Sequence, residues 1–165
     1  MILALDTYYT ENKAKSVGVL FNWGESEIIK TVIKKIENVA NYVSGEFYRR
    51  ELPCINEVLT EIKIDEIETI IVDGHVYVGN DLSLGLGGYL YMDLKQKTPI
   101  IGVAKNSFSK NNEVTNKVFR GNSKKPLYVS SIGMDIDKAT DLVKNMKGDY
   151  RIPTVLKELD KITRE

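Results

Sequence analysis

Two apolar runs of this chain end in aspartate. Met1-Ile-Leu-Ala-Leu5 runs into Asp6, and Ile67-Glu-Thr-Ile-Ile-Val72 delivers Asp73 straight into Gly74. Carboxylates fixed at strand ends suit a hard divalent cation, which takes oxygen ligands, needs few of them from the protein, and keeps positions for water and substrate phosphate. An aspartate at such a boundary also serves to form a turn or to cap the next helix, so each residue alone leaves both roles open. Glu51 stands in Tyr48-Arg-Arg-Glu-Leu-Pro53, at the start of a stretch whose Leu52, Ile55, Leu59 and Ile62 share one helical stripe. Lys105 closes a third apolar run, Thr98-Pro-Ile-Ile-Gly-Val-Ala-Lys105. The pattern predicts a compact site of three acids and one base.

These residues must be positioned by strands and helices whose order is readable. Residues 1 to 8, 14 to 23 and 26 to 36 read as an antiparallel meander, with turns near Glu11-Asn12 and Trp23-Gly24. A helix over roughly 46 to 62 leads to a strand at 67 to 72, and a glycine-rich helix near 82 to 94 leads to a strand at 99 to 104. Strands joined through helices lie parallel, so the sheet is expected to be mixed. A pair at about 115 to 120 and 126 to 131 flanks the polar turn Arg120-Gly-Asn-Ser-Lys-Lys125. Ile136, Ala139, Leu142, Val143 and Met146 place an amphipathic helix over 135 to 147, and Pro153 opens a last helix.

The motifs, taken in order, resemble endonuclease V, a metal-dependent nuclease family that recognises hypoxanthine bases. The resemblance rests on Leu5-Asp-Thr-Tyr-Tyr9, Arg50-Glu-Leu-Pro53, Val72-Asp-Gly-His75 and Ile101-Gly-Val-Ala-Lys105. Met146-Lys-Gly-Asp-Tyr-Arg-Ile-Pro153, followed by Asp160, is similar to the C-terminal motif of that family. It implies an α/β ribonuclease H-like fold, in which the first and fourth strands lie adjacent and a single domain spans 1–165. It also implies that Asp6, Glu51, Asp73, Lys105 and Asp160 form the catalytic set, with the four acids as ligands of Mg²⁺ or Mn²⁺. The implied reaction is hydrolysis of a phosphodiester in inosine- or deoxyinosine-containing DNA or RNA, with Lys105 supplying positive charge near the reacting phosphate. Tyr9 and Tyr42 are the implied base-stacking residues.

The chain departs from the family pattern in three places. Gly79-Asn80-Asp81 stands where a His-Pro-Arg segment is common. Asn41-Tyr42-Val43-Ser44 replaces a wedge with two prolines, and Leu84-Gly-Leu-Gly-Gly-Tyr-Leu90 replaces a Gly-Leu-Ala-Ser-His-Leu-Gly pattern. Gly85, Gly87 and Gly88 allow close packing of a helix on the sheet and lack the Lys-Ser/Thr of a phosphate-binding loop. Two other readings stay open. One is a nucleic-acid-binding module of the same fold with little or no cleavage. The other is a ribonuclease H-like nuclease for another substrate, such as branched DNA.

At 165 residues, 42% of them hydrophobic, the chain can bury a sizeable core without disulfides. Lys and Arg balance Asp and Glu at 23 each, which leaves no general electrostatic pull on nucleic acid. Arg49, Arg50, Lys110, Arg120, Lys124 and Lys125 read mainly as solvated charges. Cys54, the single cysteine, excludes an intrachain disulfide and reads as a small core residue. His75, the one histidine, reads first as a hydrogen-bonding residue and second as a general base. No basic leader precedes an apolar run, and no run approaches membrane-span length; the expectation is a cytoplasmic protein without a membrane partner.

Overall fold

The computed structural model describes residues 1–39, 41 and 46–165. Among these residues, seven strands form one sheet: β1 (Ile2–Thr10), β2 (Lys13–Phe21), β3 (Lys30–Ile36), β4 (Thr69–Asp73), β5 (Ile100–Ala104), β6 (Asn116–Val118) and β7 (Leu127–Ile132). Their order across the sheet is β3-β2-β1-β4-β5-β7-β6. The first three strands are an antiparallel meander, while β4 runs parallel to both β1 and β5. The mixed sheet and the adjacency of the first and fourth strands match the expectation, and β7 pairs antiparallel with both β5 and β6.

Among the described residues, four α-helices cover the sheet: α1 (Phe47–Leu59), α2 (Leu86–Asp93), α3 (Ile136–Lys144) and α4 (Thr154–Arg164). Because side chains alternate along a strand, the sheet has two apolar faces. Leu3, Leu5, Ile70 and Val72 pack with Ile55 and Val58 of α1 and with Leu86 and Leu90 of α2. Ile2, Ala4, Ile71, Ile101 and Val103 pack on the other side with Ala139 and Val143 of α3 and with Val155 and Leu159 of α4. The protein is therefore a three-layer sandwich.

Local chemistry sets the helix ends. The Asp135 carboxylate accepts the Lys138 N–H at 3.2 Å and caps α3. Pro153 occupies the N-cap of α4, as its fixed φ predicts. The glycine-rich helix starts later than its pattern suggests. Leu82 takes a left-handed φ of 67°, and Leu84 bridges to Tyr77, so the helix begins only at Leu86.

One cation differs from expectation. Arg120 is not solvated: it is 5% exposed and donates to the carbonyls of Val143, Lys144, Met146, Gly148 and Tyr150. A guanidinium offers several donors in a fixed plane. That geometry lets one side chain gather the end of α3 and the loop after it. Cys54 is buried, as expected. Among the described residues, no helix is long and apolar enough to cross a membrane.

Candidate active site

The alternation of the strands decides which side chains meet. Ala4 and Ile71 face the α3/α4 layer, so Asp6 and Asp73, two residues further on, extend the same face. Val103 belongs to that face too, which directs Lys105 toward it. In the parallel β1–β4 pair Leu5 is opposite Val72, and the two aspartates leave the sheet side by side. A narrow cavity of about 40 Å³, enough for a water or two, is lined by Asp6, Asp73, Lys105 and Asp160.

The helices bring the other two acids. On α1, Glu51 shares the buried stripe of Cys54, Ile55 and Val58, at the i, i+3, i+4, i+7 spacing of one helical face. Packing that stripe carries the carboxyl inward, where it is 6% exposed. Glu51 lines a second small cavity together with Asp6, Thr7 and Asp73, so the strand-end aspartates are approached from both sides of the sheet. On α4, the buried Val155, Leu159 and Thr163 set the inward face, and Asp160 lies at its margin. All five predicted site residues are thus gathered at one end of the parallel strands.

Burial first, and crowding of like charges second, raise the carboxyls above their ordinary range. Burial, followed by the nearby Asp73 charge, pushes the Asp6 carboxyl up to about 7, against relief from the Thr7 N–H, which donates to Asp6 Oδ1 at 2.9 Å. Burial and then Asp6 push Glu51 up to about 8. Asp73 presents surface to the cleft, yet burial by the surrounding protein raises its carboxyl, with Lys105 opposing the shift. The Asp160 carboxylate is engaged by Arg164, whose Nε lies 3.2 Å from each oxygen. Among the described residues, no three His, Cys, Asp or Glu side chains are close enough together to hold a metal ion as they stand. The all-oxygen donor set and the mutual repulsion of Asp6, Glu51 and Asp73 nevertheless suit a hard cation, which would relieve both.

Backbone chemistry explains two of the motif glycines. Gly74 has a φ of 140°, a region that side chains rarely adopt. It turns the chain immediately after Asp73 while its N–H donates to Val103 O at 3.1 Å. Gly102 lies beneath this turn: a Cβ there would sit 2.6 Å from Gly74 O and 2.7 Å from Ser130 Oγ. Ser130 is fully buried and accepts the Val76 N–H at 2.9 Å. Ser130 was not readable from the sequence as part of this support, because a serine in a strand carries no distinguishing pattern.

His75 Nε2 lies 3.2 Å from Asn106 O, and burial lowers its pKa, favouring the neutral ring. Tyr9 is packed beneath Arg50, whose guanidinium carbon is 3.5 Å from the ring centroid. Its buried hydroxyl lies toward Glu51, and burial together with that charge keeps the phenol protonated. Asn80, in the segment that departs from the family pattern, ties its loop to the one after β5. Its N–H donates to Lys110 O at 2.7 Å and its side chain accepts the Glu113 N–H at 2.9 Å. Tyr42 lies outside the described residues.

The chain has relatives among proteins of known sequence and structure. Endonuclease V from Pyrococcus horikoshii is 26% identical over 165 residues, covering 99% of this chain and 72% of that protein. Endonuclease V from Ciona intestinalis, solved in complex with a 24mer DNA containing an inosine followed by a ribo-adenosine, superposes with a TM-score of 0.81 at 19% identity. That match covers 99% of this chain and 84% of the other. Endonuclease V from Streptomyces avermitilis gives a TM-score of 0.78 at 21% identity, covering 99% and 79%. The fold is therefore ribonuclease H-like. The Endonuclease V family model matches residues 1–124, which contain four of the five gathered residues, and the chain belongs to this family of phosphodiester-hydrolysing nucleases.

Proposed function

We propose that this chain is a divalent-metal-dependent endonuclease that cuts inosine-containing nucleic acid. The observation that carries the reading is the convergence of Asp6, Asp73, Lys105 and Asp160 on one cavity, with Glu51 entering from the opposite face. Asp6 and Asp73 are the principal ligands in this proposal, and Glu51 and Asp160 bind directly or through water. When bound, Mg²⁺ or Mn²⁺ supplies Lewis acidity that offsets phosphate charge and makes attack by water feasible at neutral pH.

The chain's own groups do the rest. Lys105 directs its ammonium to the phosphate and stabilises charge that grows as the bond breaks. The Asp6 and Glu51 carboxyls, whose hold on protons is raised toward neutrality in the metal-free fold, give up those protons to serve as ligands when the ion binds. Tyr9, together with the Arg50 guanidinium stacked on it, and Tyr42 are the proposed contacts to bases. Inosine as the target is supported by the inosine-containing DNA bound to the Ciona relative.

The test is to incubate the protein and Asp73→Ala with single-stranded DNA and RNA, each with and without inosine, and with branched DNA, in Mg²⁺, Mn²⁺ or chelator. Metal-dependent, inosine-selective cutting by wild type alone is expected, and it also identifies the polymer. Binding without cutting favours the binding-module reading, and preferential cutting of branched DNA overturns the inosine reading.

A further inference from the structure

The loop between α3 and α4 holds a second arginine with an unusual set of partners. Arg151 Nη2 donates both to the carbonyl of Lys105 and to Pro126 O, the latter at 2.8 Å, and Nε lies 3.3 Å from Pro126 O. One planar guanidinium therefore bridges the residue just past β5 and the residue just before β7. Arg151 stands two positions before Pro153, which opens the helix carrying Asp160. Its own backbone is fixed from the other side, because Arg120 grips five carbonyls in the stretch from Val143 to Tyr150. A chain of hydrogen bonds thus runs from α3 through Arg151 to the main chain of Lys105.

Lys105 needs such an anchor. Its side chain is exposed and long, and its residue lies beyond the last β5–β7 pair, Ala104 with Tyr128. The β-ladder no longer fixes the backbone there, so the direction in which the lysine leaves depends on what holds its carbonyl. Lysine in place of arginine keeps the charge at 151 but loses the rigid, planar fork that reaches two carbonyls at once.

We infer that Arg151 is a positioning residue for catalysis: it orients Lys105 toward the strand-end carboxylates by clamping the Lys105 and Pro126 carbonyls to the segment that leads into Asp160. The inference rests on the proposed role of Lys105. It predicts that Arg151→Lys lowers kcat roughly tenfold to a hundredfold, as loss of an orienting partner does elsewhere, while KM for the nucleic acid stays within about threefold.

The decisive experiment is a double-mutant cycle of Arg151→Lys with Lys105→Ala, read as kcat on an inosine-containing single strand, with Arg151→Gln as a second clamp variant. If Arg151 acts through Lys105, adding Arg151→Lys to Lys105→Ala causes no further loss. Losses that multiply overturn the inference, as does unchanged kcat in both single Arg151 variants. Hydrogen exchange reads the clamp without turnover: the segment 105–108 exchanges faster in Arg151→Lys while β7 stays protected. Loss of protection across β7 as well means a folding role and also overturns it. If Lys105→Ala alone keeps the wild-type rate, or wild type does not cut, the underlying reading of Lys105 fails instead, and the exchange data show separately whether the clamp exists.

Discussion

At the scale of single residues, the site is built from charges that oppose one another until something positive joins them. Lys105 is one such charge, and its replacement by alanine is expected to lower kcat on the order of a hundred- to a thousandfold, the cost of removing a preorganised stabilising group. Gel-based single-turnover assays measure this, and a loss expressed only in KM would contradict the role. The raised carboxyls make a second prediction, about pH. Asp6 at about 7 and Glu51 at about 8 hold protons more tightly in the fold than at their ordinary values of 3.8 and 4.5. The folded state therefore binds more protons than the unfolded chain across that interval, and stability falls as pH rises from about 4 to about 8. In chelator, the melting temperature should drop between pH 5 and pH 9, and Asp6→Asn with Glu51→Gln should flatten that slope. Added Mn²⁺ should raise the melting temperature most at the upper end, where protons no longer compete for the ligands. A melting temperature that increases with pH in chelator would contradict the assigned shifts.

At the scale of elements, the important relation is between a strand end and what lies beneath it. Gly102 of β5 leaves the space that the Gly74 turn and Ser130 Oγ occupy, so Gly102→Ala places a methyl group against main chain that has little room to yield. The expected cost is about 1–3 kcal/mol of stability, the usual range for overpacking. Activity should fall by more than stability accounts for, because a shift of about 1 Å in Asp73 can itself cost a hundredfold. Denaturant melts and kcat measured on the same preparation separate the two effects; a destabilised variant with normal kcat would show that the turn does not set Asp73. Much of this layout was legible in the sequence. Apolar runs ending in Asp6, Asp73 and Lys105 marked strand ends, and the stripe Leu52, Ile55, Leu59 and Ile62 marked the helix that carries Glu51, although its most buried face runs through Cys54, Ile55 and Val58. The supports were not legible. Arg120 and Arg151 bind main-chain carbonyls, which any sequence possesses, so no partner residue signals the interaction: Arg120 read as a solvated charge, and Arg151 stood in the C-terminal motif without a role of its own. Tyr9 matched a motif position, but its stacking under Arg50 required the helix and strand to be placed in space.

At the scale of the whole molecule, neutrality governs how the protein meets a polyanion. Lys and Arg equal Asp and Glu at 23 each, and several surface cations are already paired, among them Lys34 with Glu61, Arg49 with Glu46 and Arg164 with Asp160. The exposed cations at the site end include Lys105 and Lys110, on the loop after β5. If these two supply the phosphate contacts, unmodified single strands should bind weakly. The logarithm of affinity should then fall with the logarithm of salt at a slope of about −1.4, since each neutralised phosphate contributes about −0.7. Preference for an inosine-containing strand comes from contacts to the base and should survive added salt, because both strands lose the same phosphate term. Fluorescence anisotropy in chelator, from low to moderate salt, measures both quantities on one pair of oligonucleotides. A slope beyond about −3 would mean that at least four phosphates are held, and would require a basic track reaching beyond the strand-end site. A shallow slope with a salt-independent inosine preference would place recognition at the cleft, where the carboxylates and Lys105 converge.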